Sequence, residues 1–325
     1  MPDIGRVFHG NRIIFTSKPT ETSWEVCSIG HHNPATLSQD QIDHFLTKGY
    51  LIVEKCFSEN FAEDWKKLAL RRLGYDPRVP ETWQEERIHL PSISRVEISE
   101  VSPKAWGAIC GLLGGEERIA DNPTWGDSFI INFSLGADRL WQAPSAEVSG
   151  WHKDGDFFRH FLDSPEQGLL TIVIWSDIFP QSGGTFVAPD SVQHIARFLL
   201  DNPQGLLPDV GFGQHIGKCR KFLELTGKTG DVVLLHPYLL HPASRNPSGR
   251  PRFITNPPVA LKEPMNFDRN DPSDYSSVEL AVLRALGVNH LEFETTAPRE
   301  RIVPERVRRQ QKMLEEQQKQ LSDST

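Results

Sequence analysis

The sequence predicts an α+β chain, mainly β, in which an antiparallel sandwich or barrel carries helices before and after it. Three observations predict this. From Ser128 onward, short β-branched or apolar runs alternate with Gly and Pro. Ahead of that stretch, apolar residues recur at helical spacing behind cap signals, and behind it lies a charged tail with a seven-residue repeat.

Residues 1–36 are mixed and turn-rich, an N-terminal extension with Arg12-Ile-Ile-Phe15 and Trp24-Glu-Val-Cys27 as short strands. The signal changes at Leu37-Ser-Gln-Asp-Gln-Ile-Asp-His-Phe-Leu46. Ser38 can cap a helix, Gln41 sits where a reciprocal cap belongs, and Ile42, Phe45 and Leu46 recur at helical spacing. Gly49 ends this helix, Tyr50-Leu-Ile-Val53 reads as a strand, and a second helix follows over Glu59 to Arg72. Residues 75–104 hold Pro77, Pro80, Pro91 and Pro103 among charges, a pattern too irregular for a core element and suited to a covering segment or lid.

The β texture then comprises Phe129-Ile-Ile-Asn-Phe133, Leu169-Leu-Thr-Ile-Val-Ile-Trp175, Gly184-Thr-Phe-Val187, Asp231-Val-Val-Leu-Leu235 and Arg252-Phe-Ile-Thr255. One domain over residues 37–297, with its core at 125–260, accommodates these elements. From Pro298 the character changes again. Pro304 can occupy a first helical turn, and Val307, Leu314 and Leu321 repeat every seven residues amid Arg, Lys, Glu and Gln. A coiled coil needs two apolar heptad positions, so residues 298–325 read as a solvated or partly docked helix.

Composition narrows the function classes. The chain has 325 residues and a net charge of −8 at pH 7. That length can bury a substantial core, and that sign argues against nucleic acid or an anionic membrane as principal partner. The start, MPDIGRVFHGNRIIF, lacks a basic segment followed by an apolar run, and no window approaches the roughly 20 apolar residues of a membrane span. A soluble, cytoplasmic protein is expected, with no indication of a homo-oligomer. Cys27, Cys56, Cys110 and Cys219 are scattered without a Cys-x-x-Cys pair, as reduced structural thiols are.

Chemistry concentrates in Ser149-Gly-Trp-His-Lys-Asp-Gly-Asp-Phe-Phe158. On an extended segment His152 and Asp154 point to one face, although His-x-Asp by itself is equally a polar turn. A third donor changes the reading. Downstream of Gly230-Asp-Val-Val-Leu-Leu235 come His236 and His241, and a strand later Arg252. Two histidines and a carboxylate on one face of a metal leave positions open, as in non-haem Fe(II) oxygenases, and a guanidinium nearby can grip a carboxylate. Asp156 points the same way on an ideal strand, but Gly155 predicts a turn that removes it.

These residues fall in an ordered series. After the helix and strand at residues 37–53 come Trp151-His-Lys-Asp154, Trp175 closing an apolar strand, Ser182-Gly-Gly-Thr-Phe-Val-Ala-Pro-Asp-Ser191, and Gly230 through His241 and Asn246 to Arg252. The series resembles the phytanoyl-CoA dioxygenase branch of the Fe(II)/2-oxoglutarate-dependent oxygenases over roughly residues 37–256. The resemblance implies a double-stranded β-helix (jelly-roll, cupin-like) core. It implies His152, Asp154 and His241 as Fe(II) ligands, with Arg252 on the distal carboxylate of 2-oxoglutarate and O2 as second co-substrate. His241 is preferred to His236 because the family's arginine follows its distal histidine at this separation. Trp175 and, on the preceding strand, Asn132 are carried over as co-substrate neighbours.

The implied reaction is hydrogen abstraction from a small-molecule substrate, leading to hydroxylation, desaturation or oxidative cyclisation. Because Asp154 occupies the carboxylate position, chloride has no vacant ligand site and halogenation is disfavoured. Phe157, Phe158, His160 and Phe129, with Trp125 and Trp141, are the candidates to line the substrate space. The family is often used to tailor natural products, so specialised metabolism is the expected setting. One departure is Pro189-Asp-Ser-Val192, where the family has Pro-Gly-Ser-His. A catalytically silent binding protein and a Zn-dependent hydrolase stay open as alternatives, the latter because two histidines and a carboxylate also hold zinc.

Overall fold

The computed structural model describes residues 37–76, 78–120 and 123–323, with side chains as far as Gln317. The expected N-terminal extension and Cys27 lie outside the described residues. The first half contributes α1 (Gln39–Lys48), β1 (Tyr50–Val53), α2 (Glu59–Leu73), β2 (Arg87–His89), β3 (Arg95–Glu97), α3 (Ile98–Val101), α4 (Pro103–Leu113), β4 (Thr124–Gly126) and β5 (Ile130–Asn132). Then come β6 (Leu169–Ile174), β7 (Phe186–Val187), α5 (Ser191–Leu200), β8 (Leu223–Glu224), β9 (Val232–Leu235), β10 (Arg252–Thr255) and β11 (Pro258–Val259). Helices α6 (Ser277–Leu286) and α7 (Glu305–Asp323) close the chain.

The caps form as the sequence predicts. The Ser38 hydroxyl accepts from the Gln41 N–H while Gln41 Oε1 accepts from the Ser38 N–H, and Gly49 ends α1 at φ 72°. Ile42 and Phe45 are the buried face of this helix.

The main sheet runs β1-β9-β6-β10-β5-β2, with β11 also paired to β6, and each of these pairings is antiparallel. A second, less regular antiparallel layer consists of β7 paired with β8 and the bridges Thr185↔Ala243, Ala188↔Leu240 and His152↔His241. The chain passes from β6 to β7 and β8, back to β9, out to residues 240–243, and back to β10. This alternation between two antiparallel layers is the double-stranded β-helix, and the helices flank it.

Strand parity separates the faces of the main sheet. Ile130, Leu170, Ile172, Arg252 and Ile254 face a cavity between the layers. On the other face Trp175 stacks on Trp65 of α2, with ring centroids 5.2 Å apart at 11°, and Phe57, Phe61 and Phe129 pack around them. Burying such large rings between α2 and the sheet is the main cohesive term on this side.

Residues 75–104 differ from the expectation of a segment without core elements. β2 pairs with β5 at the edge of the main sheet, and β3 pairs with β4. Ile88 and Leu90 alternate inward, but a four-residue alternation among prolines is too short to stand out in sequence. The tail helix α7 docks through a stripe other than its heptad. Arg306, Gln310, Met313 and Gln317 face the protein, whereas Val307 is 41% exposed.

Among the described residues, no helix is long and apolar enough to cross a membrane. Cys56, Cys110 and Cys219 are free thiols, each raised to about 12 chiefly by burial.

Candidate metal and co-substrate site

His152 and His241 sit opposite each other on an antiparallel bridge and exchange both backbone hydrogen bonds, at 3.1 and 3.0 Å. That register brings their rings to a centroid separation of 4.5 Å. Asp154, two residues on, turns its carboxylate between them, with Oδ1 3.4 Å from His152 Nε2 and Oδ2 3.6 Å from His241 Nε2. One donor atom from each of the three residues lies within 4.8 Å of the others.

The tautomers are fixed from behind. His152 Nδ1 donates to the Gly150 carbonyl at 2.7 Å and His241 Nδ1 to the Leu239 carbonyl at 2.9 Å. Each Nε2 lone pair is left facing Asp154, the outer-shell arrangement that orients metal-binding imidazoles. Neighbouring donors on one face of a first-row metal stand about 3 Å apart for bonds of about 2.1 Å, so only small adjustments are needed to hold Fe(II).

Burial acts against charge on Asp154, yet the two imidazoles outweigh it and hold the carboxyl well below its usual range. On His152 burial likewise favours the neutral ring, but the hydrogen bond and charge of Asp154 overcome it and raise the pKa. Asp154 and His152 thus stabilise each other's charged forms, and the carboxylate stays ionised.

Asn256 donates Nδ2 to Asp154 Oδ2 at 2.9 Å and fixes the plane of the carboxylate. The sequence reading missed it, although a signal was there. Residues 252, 254 and 256 share one side of a strand, so Arg252 facing the site implies Asn256 facing it too. Gly155 makes the predicted turn at φ 118°, where a Cβ would meet Phe158 and His160 at 2.6 and 2.7 Å. Asp156 is thereby turned away from the triad and pairs with Arg306 of α7 at 2.5 and 2.7 Å.

Arg252 is only 2% exposed, and its Nε and Nη1 have no protein partner. Burial, then repulsion from Arg87, lowers its pKa to about 10, which leaves it fully charged at neutral pH. A buried guanidinium without a counter-ion is costly, and this one faces the triad's cavity. The donors therefore fit the distal carboxylate of a 2-oxoglutarate bound there. Arg87, Asn132 and Arg252 stand side by side on β2, β5 and β10, a juxtaposition that depends on a strand pairing invisible in sequence.

The other expected residues divide. Phe157 lines the cavity. Asn132 lies beside Arg252, but its amide is engaged by the Ser244 carbonyl and the Leu135 N–H, which holds the neighbouring turn. Trp175 and Phe129 belong to the aromatic cluster on the far face, and Trp175 Nε1 bonds Thr255 Oγ1 at 3.0 Å. The reason is parity: odd-numbered positions of β5, β6 and β10 point away from the cavity. Trp125 and Trp141 also pack elsewhere, on Phe57 and Phe186.

Phe158 and His160 are buried beneath the site with Lys153. The Lys153 ammonium is 2.9 Å from His160 Nδ1 and lies over the rings of Phe158 and Phe212. His236 is a neutral core residue. Its Nδ1 accepts from the Tyr238 N–H at 3.1 Å, and burial lowers its pKa to about 3. The Asp190 variation in the family's Pro-Gly-Ser stretch is accommodated because Asp190 has φ −86°, where glycine is not needed, and its carboxylate accepts from the Arg220 N–H.

No curated protein matches the chain. Among solved structures, the 2-oxoglutarate-dependent carbocyclase SnoK of nogalamycin biosynthesis aligns at 16% identity and TM-score 0.40, over 71% of this chain and 87% of that one. HygX from Streptomyces hygroscopicus, solved with nickel, 2-oxoglutarate and hygromycin B, gives 16% and 0.39 over 68% and 86%. EctD from S. alaskensis, with 2-oxoglutarate and 5-hydroxyectoine, gives 18% and 0.39 over 78% and 84%. The family model for phytanoyl-CoA dioxygenase matches residues 45–254. That match takes in both histidines, the carboxylate and Arg252, and with it the chain belongs to the phytanoyl-CoA dioxygenase family of iron- and 2-oxoglutarate-dependent oxygenases.

Proposed function

We propose that His152, Asp154 and His241 hold Fe(II), that Arg252 grips the distal carboxylate of 2-oxoglutarate, and that the enzyme oxidises a small molecule in the cavity above them. The observation that carries this reading is the unpartnered, buried Arg252 guanidinium in the same cavity as the His-Asp-His set. A zinc hydrolase has no use for such a group, and a silent binding protein has no use for two imidazoles held at Nδ1 with their Nε2 atoms converging.

When bound, iron and 2-oxoglutarate supply the oxidising power that removes hydrogen from an unactivated C–H bond. The chain supplies the rest. Gly150 and Leu239 orient the imidazoles, Asn256 orients the carboxylate, and Arg252 fixes one end of the co-substrate. Ile130, Leu170, Ile172 and Ile254 line the cavity and keep that part of it apolar. The volume of about 1040 Å³ accommodates a small-molecule substrate beside the co-substrate. The outcome is hydroxylation, desaturation or oxidative cyclisation, according to how the substrate sits.

Anaerobic reconstitution with Fe(II) and 2-oxoglutarate tests the reading through the weak visible charge-transfer band of keto-acid chelation. The band is expected in the wild-type protein and absent in His152→Ala. In Arg252→Ala it should require roughly 30-fold or more additional 2-oxoglutarate at nearly unchanged Fe(II) affinity, the cost of truncating one partner of a buried charged pair. No band in folded, iron-loaded protein would overturn the proposal.

A further inference from the structure

Charge in the cavity wall is not balanced by the bound groups just described. Resting on the reading above, Fe(II), the Asp154 carboxylate, the 2-oxoglutarate dianion and the Arg252 guanidinium together carry no net charge. Arg306 is neutralised by Asp156. Lys153 is turned away into its nest of His160, Phe158 and Phe212. Three further guanidiniums line the same cavity, Arg87 on β2, Arg95 on β3 and Arg301 before α7, and all three are exposed. Among the described residues none of the three has a carboxylate or hydrogen-bonding partner on its side chain. Among the described residues Asp154 and Asp156 are the acidic members of the lining, so the surplus there is positive in a chain whose net charge is −8.

Of these three, Arg87 also acts on a neighbouring ring. His89, whose ring opens onto the cavity, is lowered to about 4 by desolvation and then by repulsion from Arg87, Arg252 and Arg306. It is a neutral hydrogen-bonding group there. Ile130, Leu170, Ile172 and Ile254 form an apolar floor in the same cavity. The wall is thus divided, with apolar side chains of the main sheet over part of it and unpaired guanidiniums at the sheet edge on β2, on β3 and ahead of α7 over another part.

We infer that the substrate is amphiphilic, with an apolar body that meets the sheet face and an oxyanion group, phosphate or carboxylate, held by Arg87, Arg95 and Arg301. Guanidinium forks bind such groups in bidentate fashion. Recognition by exposed arginines at the wall also steers an anion into the cavity, an effect that added salt weakens.

The test uses full-length protein loaded with Ni(II), which cannot turn over, and saturated with 2-oxoglutarate. Phenyl phosphate, benzoate and benzyl alcohol serve as probes, and paramagnetic broadening of their ring protons reports residence near the metal. Broadening is expected for one or both anions and not for benzyl alcohol, with retention of 2-oxoglutarate. Stronger broadening of phenyl phosphate identifies a phosphate site, and stronger broadening of benzoate a carboxylate site. In R95Q/R301Q, anion affinity should fall by about tenfold or more, the loss of two charge-assisted contacts, while 2-oxoglutarate affinity holds. The inference is overturned if, in protein that binds 2-oxoglutarate, the alcohol is broadened as much as the anions, the anions act only by displacing 2-oxoglutarate, or the double variant binds them equally. Failure of 2-oxoglutarate itself to bind would instead overturn the underlying reading, and this inference with it.

Discussion

Asn256 shows how much of the proposed metal site lies behind its ligands. The Asp154 carboxylate has two imidazoles in front and one amide donor on Oδ2. Removing that donor frees the carboxylate to rotate without touching any ligand. Asn256→Ala should therefore lower Fe(II) affinity about 10- to 100-fold, the usual effect of losing an outer-shell partner, with little change in thermal midpoint. A competition titration against a chelator of known affinity checks this, and unchanged affinity would show that Asp154 is held by the triad alone. His236 makes the contrasting case. It was a plausible ligand by type and position, yet its place under the Tyr238 N–H makes it a neutral packing residue. Residue type proposes a ligand, and hydrogen-bond environment decides it.

At the scale of elements, α7 has the most to say. Val307 of its heptad is exposed, and polar residues near both ends of its described part hold the helix. Arg306 forks onto Asp156, and Gln317 Oε1 accepts from Nε and Nη2 of Arg72 at 3.0 and 2.8 Å. Arg72 also pairs with Asp127 at 2.6 Å, both fully buried, and Asp127 Oδ1 accepts from the N–H groups of Ile93 and Ser94. One buried ion pair therefore ties α2, the loop between β2 and β3, the end of β4 and the tail helix. Asp127→Ala leaves Arg72 charged and buried, at a cost of about 3–5 kcal/mol. Truncation before Pro304 removes only the Gln317 contact from that knot, so the shortened protein should fold. Because Arg306 and Gln310 line the cavity, it should lose substrate discrimination while retaining the 2-oxoglutarate band. Urea midpoints of the two variants separate these effects, and equal destabilisation by both would contradict the knot.

The whole molecule carries a further signature in its buried histidines. His236 and His160, nearly inaccessible to solvent, are lowered to about 3 and about 2, chiefly by burial. Each is neutral in the fold, whereas the unfolded chain protonates near pH 6.5. Below that pH the unfolded state binds more protons, so stability present above about pH 6.5 is lost progressively as pH falls toward the folded values. Each histidine contributes a slope of up to about 1.4 kcal/mol per pH unit in that window. Denaturation midpoints should fall as the pH drops from about 6.5 to 5, and His236→Gln should flatten part of that descent. Midpoints that rise on acidification would mean that these rings are charged in the fold.

Much of the site was legible before any coordinates. His152-x-Asp154 with a later histidine and arginine named the chemistry, and Ser38, Gln41 and Gly49 marked a helix by local hydrogen bonding alone. These signals are short-range, or depend on residue types with few other uses. Trp175 and Phe129 were read toward the site and lie behind the sheet, because strand parity can be counted only after one residue's face is known. Arg87, Arg95 and Arg301 were silent in sequence, since nothing local distinguishes a cavity arginine from a solvated one.

By itself, then, the sequence pointed to the family through an ordered series of motifs, offered His152, Asp154 and His241 as the candidate ligands, and determined the alternation of helix and strand, because backbone propensity and caps act over a few residues. Only the tertiary structure decided which faces of the strands meet the cavity, that Asn256 bonds Asp154, that α7 docks by a stripe other than its heptad, and that Arg87, Arg95 and Arg301 line one cavity. Those facts depend on pairing register and on burial, which are properties of contacts between distant segments.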